Sequence, residues 1–235
     1  MNSLLQAAAE LMKASRVAIF SHALPDGDCT GSMLALGIAL EMLGKEVIMV
    51  NADPIPEYLT FLPGADRIFL PEQVSQWPSL AVCVDCSDPG RLGEELARVV
   101  QGSRLINIDH HISNTFFGSV NYVDSTAAAT GQLIAAVIQE LGIPLNKDLA
   151  ALIYTSIVTD TGSFQYSNTT VDVHLLAARL IQTGIDVSEI NRKLYETKSR
   201  AAVKLLGRAM DALETSQDGR IAWIAITRKT LDEVG

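Results

Sequence analysis

Four short segments of the chain carry histidine and aspartate side chains, which are common ligands of divalent metal ions. They are residues 22–28 (HALPDGD), Asp85, residues 109–111 (DHH) and Asp160. Three of the four histidines fall in these segments, and no cysteine is needed to complete the set. A histidine and aspartate set of this size favours two hard-to-borderline divalent cations over one structural zinc ion. The residue types therefore predict metal-assisted hydrolysis of a phosphoester.

Short apolar runs alternate with helical patterns in the first half of the chain and predict the elements that position these residues. The predicted strands cover residues 16–21, 46–50, 80–85 and 104–108. This alternation predicts an α/β fold, a parallel-rich sheet with helices on both faces. His22, Asp85 and the 109–111 triplet end strands, so we expect them to converge at the carboxyl edge of the sheet. Asp160 follows a helical stretch, and the pattern alone does not fix its position.

Helical patterns dominate the second half of the chain. They cover residues 127–141, 147–158, 171–182, 187–195 and 199–215, and further helices are expected at 1–15, 29–43 and 91–100. The turn sequence SQDG at 216–219 separates the last helix from one predicted strand at 220–226. One strand cannot bury a core, so we expect residues 218–235 to be an incomplete piece of a second domain.

Composition and charge narrow the functional classes. The 235 residues are 48% hydrophobic, but no apolar run approaches the roughly 20 residues that span a bilayer. We find no signal peptide pattern, and three cysteines in or beside apolar runs favour reduced thiols and a cytoplasmic location. The net charge of −9 argues against binding of long duplex nucleic acid through a broad basic surface, but it is compatible with a short phosphorylated substrate.

Each candidate ligand also has a simpler structural explanation. Asp28 could be the N-cap of the following helix, and Asp26 could belong to an ordinary turn. Asp85 could cap the next loop, and the paired histidines could be surface residues. His174 has no acidic or histidine partner at ligand spacing, so we interpret it as structural, and the C-x-x-C spacing of residues 83–86 straddles a strand end, which disfavours a redox role. The joint occurrence of all four segments favours the metal hypothesis.

Four motifs resemble those of the DHH phosphoesterase superfamily. HALPDGD, VCVD, IDHHISN and IVTDTGSFQYSNTT occur in family order within residues 1–200. The chain looks most like the NrnA-type bacterial members of this superfamily. Those proteins hydrolyse very short oligoribonucleotides, and many also remove the 3′-phosphate of 3′-phosphoadenosine 5′-phosphate (pAp). The stretch at residues 160–170 most favours this branch.

The resemblance implies a role for each candidate residue. One metal ion would be held by His22, Asp26 and Asp85. The second would be held by Asp28, Asp85, His110 and Asp160, so that Asp85 bridges both ions. Asp109 would orient a ligand histidine and His111 would lie near the scissile phosphate, which makes these two the predicted catalytic residues. Two Mn²⁺ ions are the implied cofactors, with Mg²⁺, Co²⁺ or Fe²⁺ as substitutes.

The resemblance also implies a domain organisation and partners. Residues 1–190 would form the DHH catalytic domain, 191–217 a helical linker, and 218–235 the N-terminal fragment of a DHH-associated substrate-binding domain. The expected partners are short RNA oligonucleotides or pAp, without long duplex nucleic acid or membrane, and a homodimer could form along the exposed C-terminal strand. Two alternatives stay open: an inorganic pyrophosphatase or exopolyphosphatase of the same superfamily, and a low-turnover metal- or nucleotide-binding module.

Overall fold

The computed structural model describes residues 3–235. They divide into two compact units, the first of which ends at Ile190 and the second of which is Asn191–Gly235. The first unit contains a six-stranded sheet with the strand order β3-β2-β1-β4-β5-β6. Every pair of neighbouring strands is parallel. The strands are β1 (Arg16–Phe20), β2 (Glu46–Val50), β3 (Ile68–Phe69), β4 (Leu80–Val84), β5 (Arg104–Asp109) and β6 (Val120–Val123).

Seven α-helices accompany this sheet within the described residues of the first unit. They are α1 (Ser3–Lys13), α2 (Gly27–Met42), α3 (Glu94–Gln101), α4 (Thr130–Glu140), α5 (Lys147–Asp160), α6 (Val171–Gln182) and α7 (Val187–Asn191), the last of which reaches the unit boundary. Ala18 and Phe20 of β1 pack in one core cluster with Leu96 of α3. Val17 and Ile19 point to the opposite face and are also fully buried. Both faces of the central strands are therefore covered, and the predicted α/β fold is confirmed.

The strand order places a topological switch point beside β1. From β1 the chain proceeds outward to β2 and β3, and it then crosses to β4, β5 and β6 on the other side. In open parallel sheets a cleft forms outside the carboxyl ends of the strands at such a point. The loops that follow β1 and β4 begin at this cleft, and they carry His22 and Asp85.

Several predicted elements differ from those observed. The edge strands β3 and β6 were not predicted, because β3 has only two residues and β6 is half-buried along its length. The helix predicted at 91–100 begins as a 3₁₀ turn, Pro89–Leu92, and α3 starts after Gly93, whose φ of +83° interrupts the helical backbone. The helix predicted at 187–195 is α7 followed by a π-helical turn, Arg192–Glu196.

The second unit contains two helices and a hairpin. These elements are α8 (Arg200–Asp211), β7 (Leu213–Thr215), β8 (Ala222–Ile224) and α9 (Arg228–Val234). The helical pattern predicted to reach residue 215 was wrong at its end, because 213–215 pair antiparallel with 222–224 around the turn at Gly219. The predicted strand at 220–226 is thus one half of a hairpin. Among residues 3–235, no helix is both long and apolar enough to cross a membrane.

Candidate metal centre

His22 enters the cleft directly after β1. Its Nδ1 lies 2.8 Å from the Ala23 carbonyl, and its Nε2 lies 3.5 Å from Asp85 Oδ2 and 3.7 Å from Asp26 Oδ2. The loop is fixed by Asn51 at the end of β2, whose amide donates to the His22 carbonyl over 2.9 Å. The backbone contact at Nδ1 therefore leaves Nε2 to face the carboxylates.

The structure gives the helix-capping role to Asp26 and not to Asp28. Asp26 caps α2, with its Oδ1 accepting from the Cys29 amide over 3.1 Å. Asp28 lies in the first turn of α2 and is almost fully buried. Its carboxylate accepts hydrogen bonds from two α4 amides, Thr130 N at 2.8 Å and Gly131 N at 3.2 Å. The hydroxyls of Ser32 and Ser156 also donate to it.

Asp85 lies at the centre of the cluster. It follows β4 with a φ of +56°, a conformation that is uncommon for a residue other than glycine and is often found at functional sites. Its Oδ1 accepts from Thr130 Oγ1 over 2.8 Å. Asp85 oxygens lie 3.5 Å from His22 Nε2, 3.6 Å from His110 Nε2 and 3.6 Å from His111 Nδ1. One buried carboxylate therefore lies close to all three histidines of the cluster.

His110 and Asp160 complete the other side of the cluster. The Nδ1 of His110 lies 3.2 Å from the Ala127 carbonyl, and its Nε2 lies 3.3 Å from Asp160 Oδ2 and 3.6 Å from Asp28 Oδ2. Asp160 is the last residue of α5, and α5 packs along α2. This helix pair brings Asp160 to the cleft, a position that the sequence pattern did not fix.

Asp109 and His111 form a separate hydrogen-bonded pair beside the cluster. Asp109 is fully buried, and its Oδ1 lies 2.7 Å from His111 Nδ1. Its Oδ2 accepts from Asn114 Nδ2 over 2.6 Å. Asp109 thus contacts His111 and neither of the ligand histidines implied by the resemblance, His22 and His110, whose Nδ1 atoms contact backbone carbonyls instead.

The charges of the cluster shift its pKa values. Burial and the neighbouring charges of Asp85 and Asp160 raise the pKa of Asp28 well above its ordinary value. Burial also raises the pKa of Asp160 to about 6, against the opposing effect of His110. Burial acts in the same direction on Asp85, but hydrogen bonding to His22 and the charge of His110 lower its pKa overall. The carboxylates compete for positive charge, which a bound divalent cation would supply.

The histidines respond to the same carboxylates. Burial opposes the charged form of His22, but its contacts with Asp85 and Cys29 raise its pKa to about 11. The hydrogen bond to Asp109 raises the pKa of His111. Each ring therefore gains proton affinity from a neighbouring carboxylate, and the one beside His22, Asp85, also belongs to the candidate ligand groups.

Three groups of side chains within residues 3–235 have ligand atoms close enough to share an ion, because these atoms lie within 4.8 Å of one another. The groups are His22–Asp26–Cys29–Asp85, Asp28–His110–Asp160 and Asp85–His110–His111. The oxygen and imidazole donors fit borderline divalent cations such as Mn²⁺. Every sequence-predicted ligand falls in at least one group.

Other residues of the site were missed or lie outside it. Cys29 belongs to the first ligand group, and its position directly after Asp28 was the available signal. The buried hydroxyls of Thr130 and Ser156 gave no signal, because their partners are distant in sequence. His174 lies outside the groups and stacks on Phe164 with ring centroids 5.3 Å apart.

Comparisons with known proteins match this arrangement. A family model described as the DHH family, N-terminal domain, matches residues 16–157. A protein of Thermus thermophilus named bifunctional oligoribonuclease and PAP phosphatase NrnA is 36% identical over 87% of the chain and 62% of its own length. A Bacillus subtilis protein of the same name is 31% identical over 93% of the chain and 69% of its own length. The chain thus spans about two thirds of the length of these relatives.

A solved structure supports the same relationship. The crystal structure of an exopolyphosphatase-related protein from Bacteroides fragilis superimposes with a TM-score of 0.91 at 26% identity, covering 100% of this chain and 72% of that one. The matched family region contains β1, β4, β5 and the loops with His22, Asp85 and the Asp109–His111 triplet. Because the match covers more than half of the chain, the resemblance seen in the motifs is confirmed, and the chain belongs to the DHH family.

Proposed function

We propose that this protein is a metal-dependent hydrolase of phosphoesters in short oligoribonucleotides and pAp. The observation that carries the proposal is the position of Asp85, whose carboxylate lies within 3.6 Å of nitrogens from three histidines at the switch point of the sheet. Such a constellation has no evident structural purpose, because buried carboxylates that repel one another destabilise a fold unless a cation compensates them.

Two ions fit the ligand set better than one. His22, Asp26 and Asp85 would hold the first ion. Asp28, Asp85, His110 and Asp160 would hold the second. Mn²⁺ suits this mixture of imidazole and carboxylate donors. When bound, such ions stabilise negative charge on a phosphoryl group and make water more acidic.

The protein's own residues position the other reacting groups. Thr130 fixes one oxygen of Asp85, and the α4 amides and two serines fix Asp28, so both carboxylates are held before an ion binds. Asp109 accepts from His111 Nδ1, so the Nε2 of this ring faces away from Asp109. In its protonated form His111 would use Nε2 to hold a phosphate oxygen or to give a proton to the leaving group. About 30% of the His111 side chain is exposed, so a substrate can reach it.

The substrate class rests on the named relatives. Both curated relatives carry the name of an oligoribonuclease and PAP phosphatase. The Bacteroides neighbour is titled exopolyphosphatase-related. The competing candidate function is therefore that of an inorganic pyrophosphatase or exopolyphosphatase, with pyrophosphate or polyphosphate as its substrate. A low-turnover binding module is the third outcome. The cytoplasmic location, the homodimer and the assignment of residues 218–235 to a DHH-associated domain stay predictions.

A substrate panel tests the proposal. The full chain is assayed with pAp, di- to pentaribonucleotides, pyrophosphate and polyphosphate, with Mn²⁺ and after chelation. We expect Mn²⁺-dependent hydrolysis of pAp and the shortest oligoribonucleotides, abolished in Asp85→Asn. Asp66→Asn is the matched control, because Asp66 is exposed and lies outside all three ligand groups. Hydrolysis of pyrophosphate or polyphosphate alone would favour the pyrophosphatase or exopolyphosphatase candidate. If no substrate is hydrolysed, the hydrolase proposal fails and the low-turnover binding module is favoured.

A further inference from the structure

Arg91 is a charged residue beside the metal-ligand cluster, and it has no role in the proposed metal centre. It lies in the 3₁₀ turn Pro89–Leu92, between Asp85 and α3. Asp88 caps this turn by accepting from the Gly90 amide over 2.9 Å, and Leu92 is fully buried. The Arg91 carbonyl accepts from the Ala23 amide over 2.7 Å, which ties this turn to the loop that carries His22. The backbone therefore fixes where the Arg91 side chain starts.

The guanidinium group of Arg91 reaches the catalytic pair. Its Nη1 lies 3.2 Å from His111 Nε2. Guanidinium has no acceptor atom, so it must be the donor, and the Nε2 lone pair of His111 must accept. This direction agrees with the contact at Nδ1, where His111 donates to Asp109 over 2.7 Å. Arg91, His111 and Asp109 thus form one continuous row of hydrogen bonds that ends at the cleft.

Arg91 has no acidic partner in the part of the chain that the structure describes. No carboxylate oxygen lies within the 4.0 Å that defines an ion pair around its guanidinium, although five aspartates line the neighbouring cluster. By contrast, Arg16, Arg67 and Arg104 each pair with a glutamate. A partly buried arginine that presents its remaining N–H donors without a carboxylate is arranged to bind an anion from outside the chain.

We propose that Arg91 binds a non-bridging oxygen of the substrate phosphate, next to His111. This inference rests on the proposed function and deepens it, because it names the residue that recognises the anion at the same site. Substrate would take the guanidinium away from His111 Nε2 and so free that nitrogen when phosphate is in place. The guanidinium fork can bind two phosphate oxygens at once, whereas a lysine offers only a point charge.

The test compares Arg91→Ala and Arg91→Lys with Arg98→Ala in the full, Mn²⁺-loaded chain. Arg98 is the matched control, because it lies seven residues further on in α3, is largely exposed and pairs with Glu94 on its own helix. The scaffold contact uses the Arg91 carbonyl and not its side chain, so the variants should fold. Mn²⁺ titration and thermal melting check this, and both should match the wild type.

The probe is inorganic phosphate, measured by calorimetry and as a competitive inhibitor of pAp hydrolysis. We expect Arg91→Ala to weaken phosphate binding and lower kcat/KM by about 10- to 100-fold, the range of a charge-assisted hydrogen bond, with Arg91→Lys intermediate and Arg98→Ala unchanged. A wild type that binds no phosphate, or Arg91→Ala with wild-type phosphate affinity, would overturn the inference. A fall in kcat without weaker phosphate binding would likewise overturn it, because Arg91 would then act only by orienting His111.

The outcomes separate this inference from the proposed function. If the wild type hydrolyses none of the substrates but binds phosphate in an Arg91-dependent way, the anion site stands and the hydrolase proposal fails. If the wild type hydrolyses pAp and Arg91→Ala does so equally well, the hydrolase proposal stands and the anion site fails.

Discussion

Replacement of Ser156 by alanine should weaken metal binding although no proposed ligand residue is changed. Ser156 is fully buried in α5, where its hydroxyl donates to Asp28 Oδ1 and accepts from the Gly131 amide over 3.0 Å. Asp28 has four hydrogen-bond donors, and the substitution removes one of them. The Gly131 amide keeps its 3.2 Å contact with Asp28, so no backbone group is left unpaired.

The expected loss in metal affinity follows from two independent magnitudes. Removing the partner that orients a metal ligand typically costs about 10–100-fold in affinity, or roughly 1.4–2.7 kcal/mol. A hydrogen bond to a charged group contributes about 1.5–3 kcal/mol, which agrees with that range. The metal-free protein should lose about 1 kcal/mol of stability, the typical contribution of one hydrogen bond. This corresponds to a fall in Tm of roughly 2–4 °C.

Calorimetric titration with Mn²⁺ measures the effect. Thr155→Val is the matched control, because Thr155 is the preceding residue, is equally buried and donates its hydroxyl to the Ala151 carbonyl over 2.9 Å, away from the cluster. The control should bind Mn²⁺ as the wild type does. If Ser156→Ala binds Mn²⁺ within twofold of the wild type, or if both variants lose affinity equally, the Ser156 hydroxyl does not orient Asp28 for metal binding.

Three further predictions concern the bridge, the catalytic pair and the helix packing. Asp85→Asn should lose more Mn²⁺ affinity than a substitution of any other ligand, since it is proposed to contact both ions; binding of two ions with near wild-type affinity in a titration would refute the bridge. His111→Ala should keep both ions but slow hydrolysis by about 10²–10⁴-fold in steady-state assays, and loss of an ion would make His111 a ligand. Gly31→Ala should lower stability by about 1–3 kcal/mol in denaturant melts, because its Cβ would lie 2.5 Å from the Leu152 carbonyl oxygen of α5. The control Gly207→Ala has no atom within 4 Å of its new Cβ and should not destabilise α8; equal losses in both glycine variants would contradict the packing argument.

The sequence was most informative where burial is continuous. Strand β2 was predicted with the observed bounds, and β1, β4 and β5 were each predicted to within one residue, because apolar runs covered on both faces have few alternative explanations. The edge strands β3 and β6 have no such run, since water reaches part of each. In the second unit, residues 213–215 continue a helical pattern in sequence but pair with 222–224, a contact that local propensity does not register.

The residues of the site also divide into those that the sequence could predict and those that it could not. The ligand residues could be named from the sequence because histidines and aspartates at strand ends are distinctive. The groups that hold those residues could not, because Thr130 contacts Asp85 across 45 residues and Ser156 contacts Asp28 across 128. Arg91 was also missed, since an arginine after a Pro-Gly turn is ordinary until its 3.2 Å contact with His111 is seen.

The most direct test of the central claim is an anomalous difference map from crystals of the Mn²⁺-loaded protein. We expect two peaks in the cleft beyond β1 and β4, at the roughly 3.5–4 Å separation of two-metal sites. Both should contact Asp85, with His22 beside one ion and His110 beside the other. A single peak, two peaks that share no contact with Asp85, or no peak within this cluster would contradict the two-metal centre proposed here.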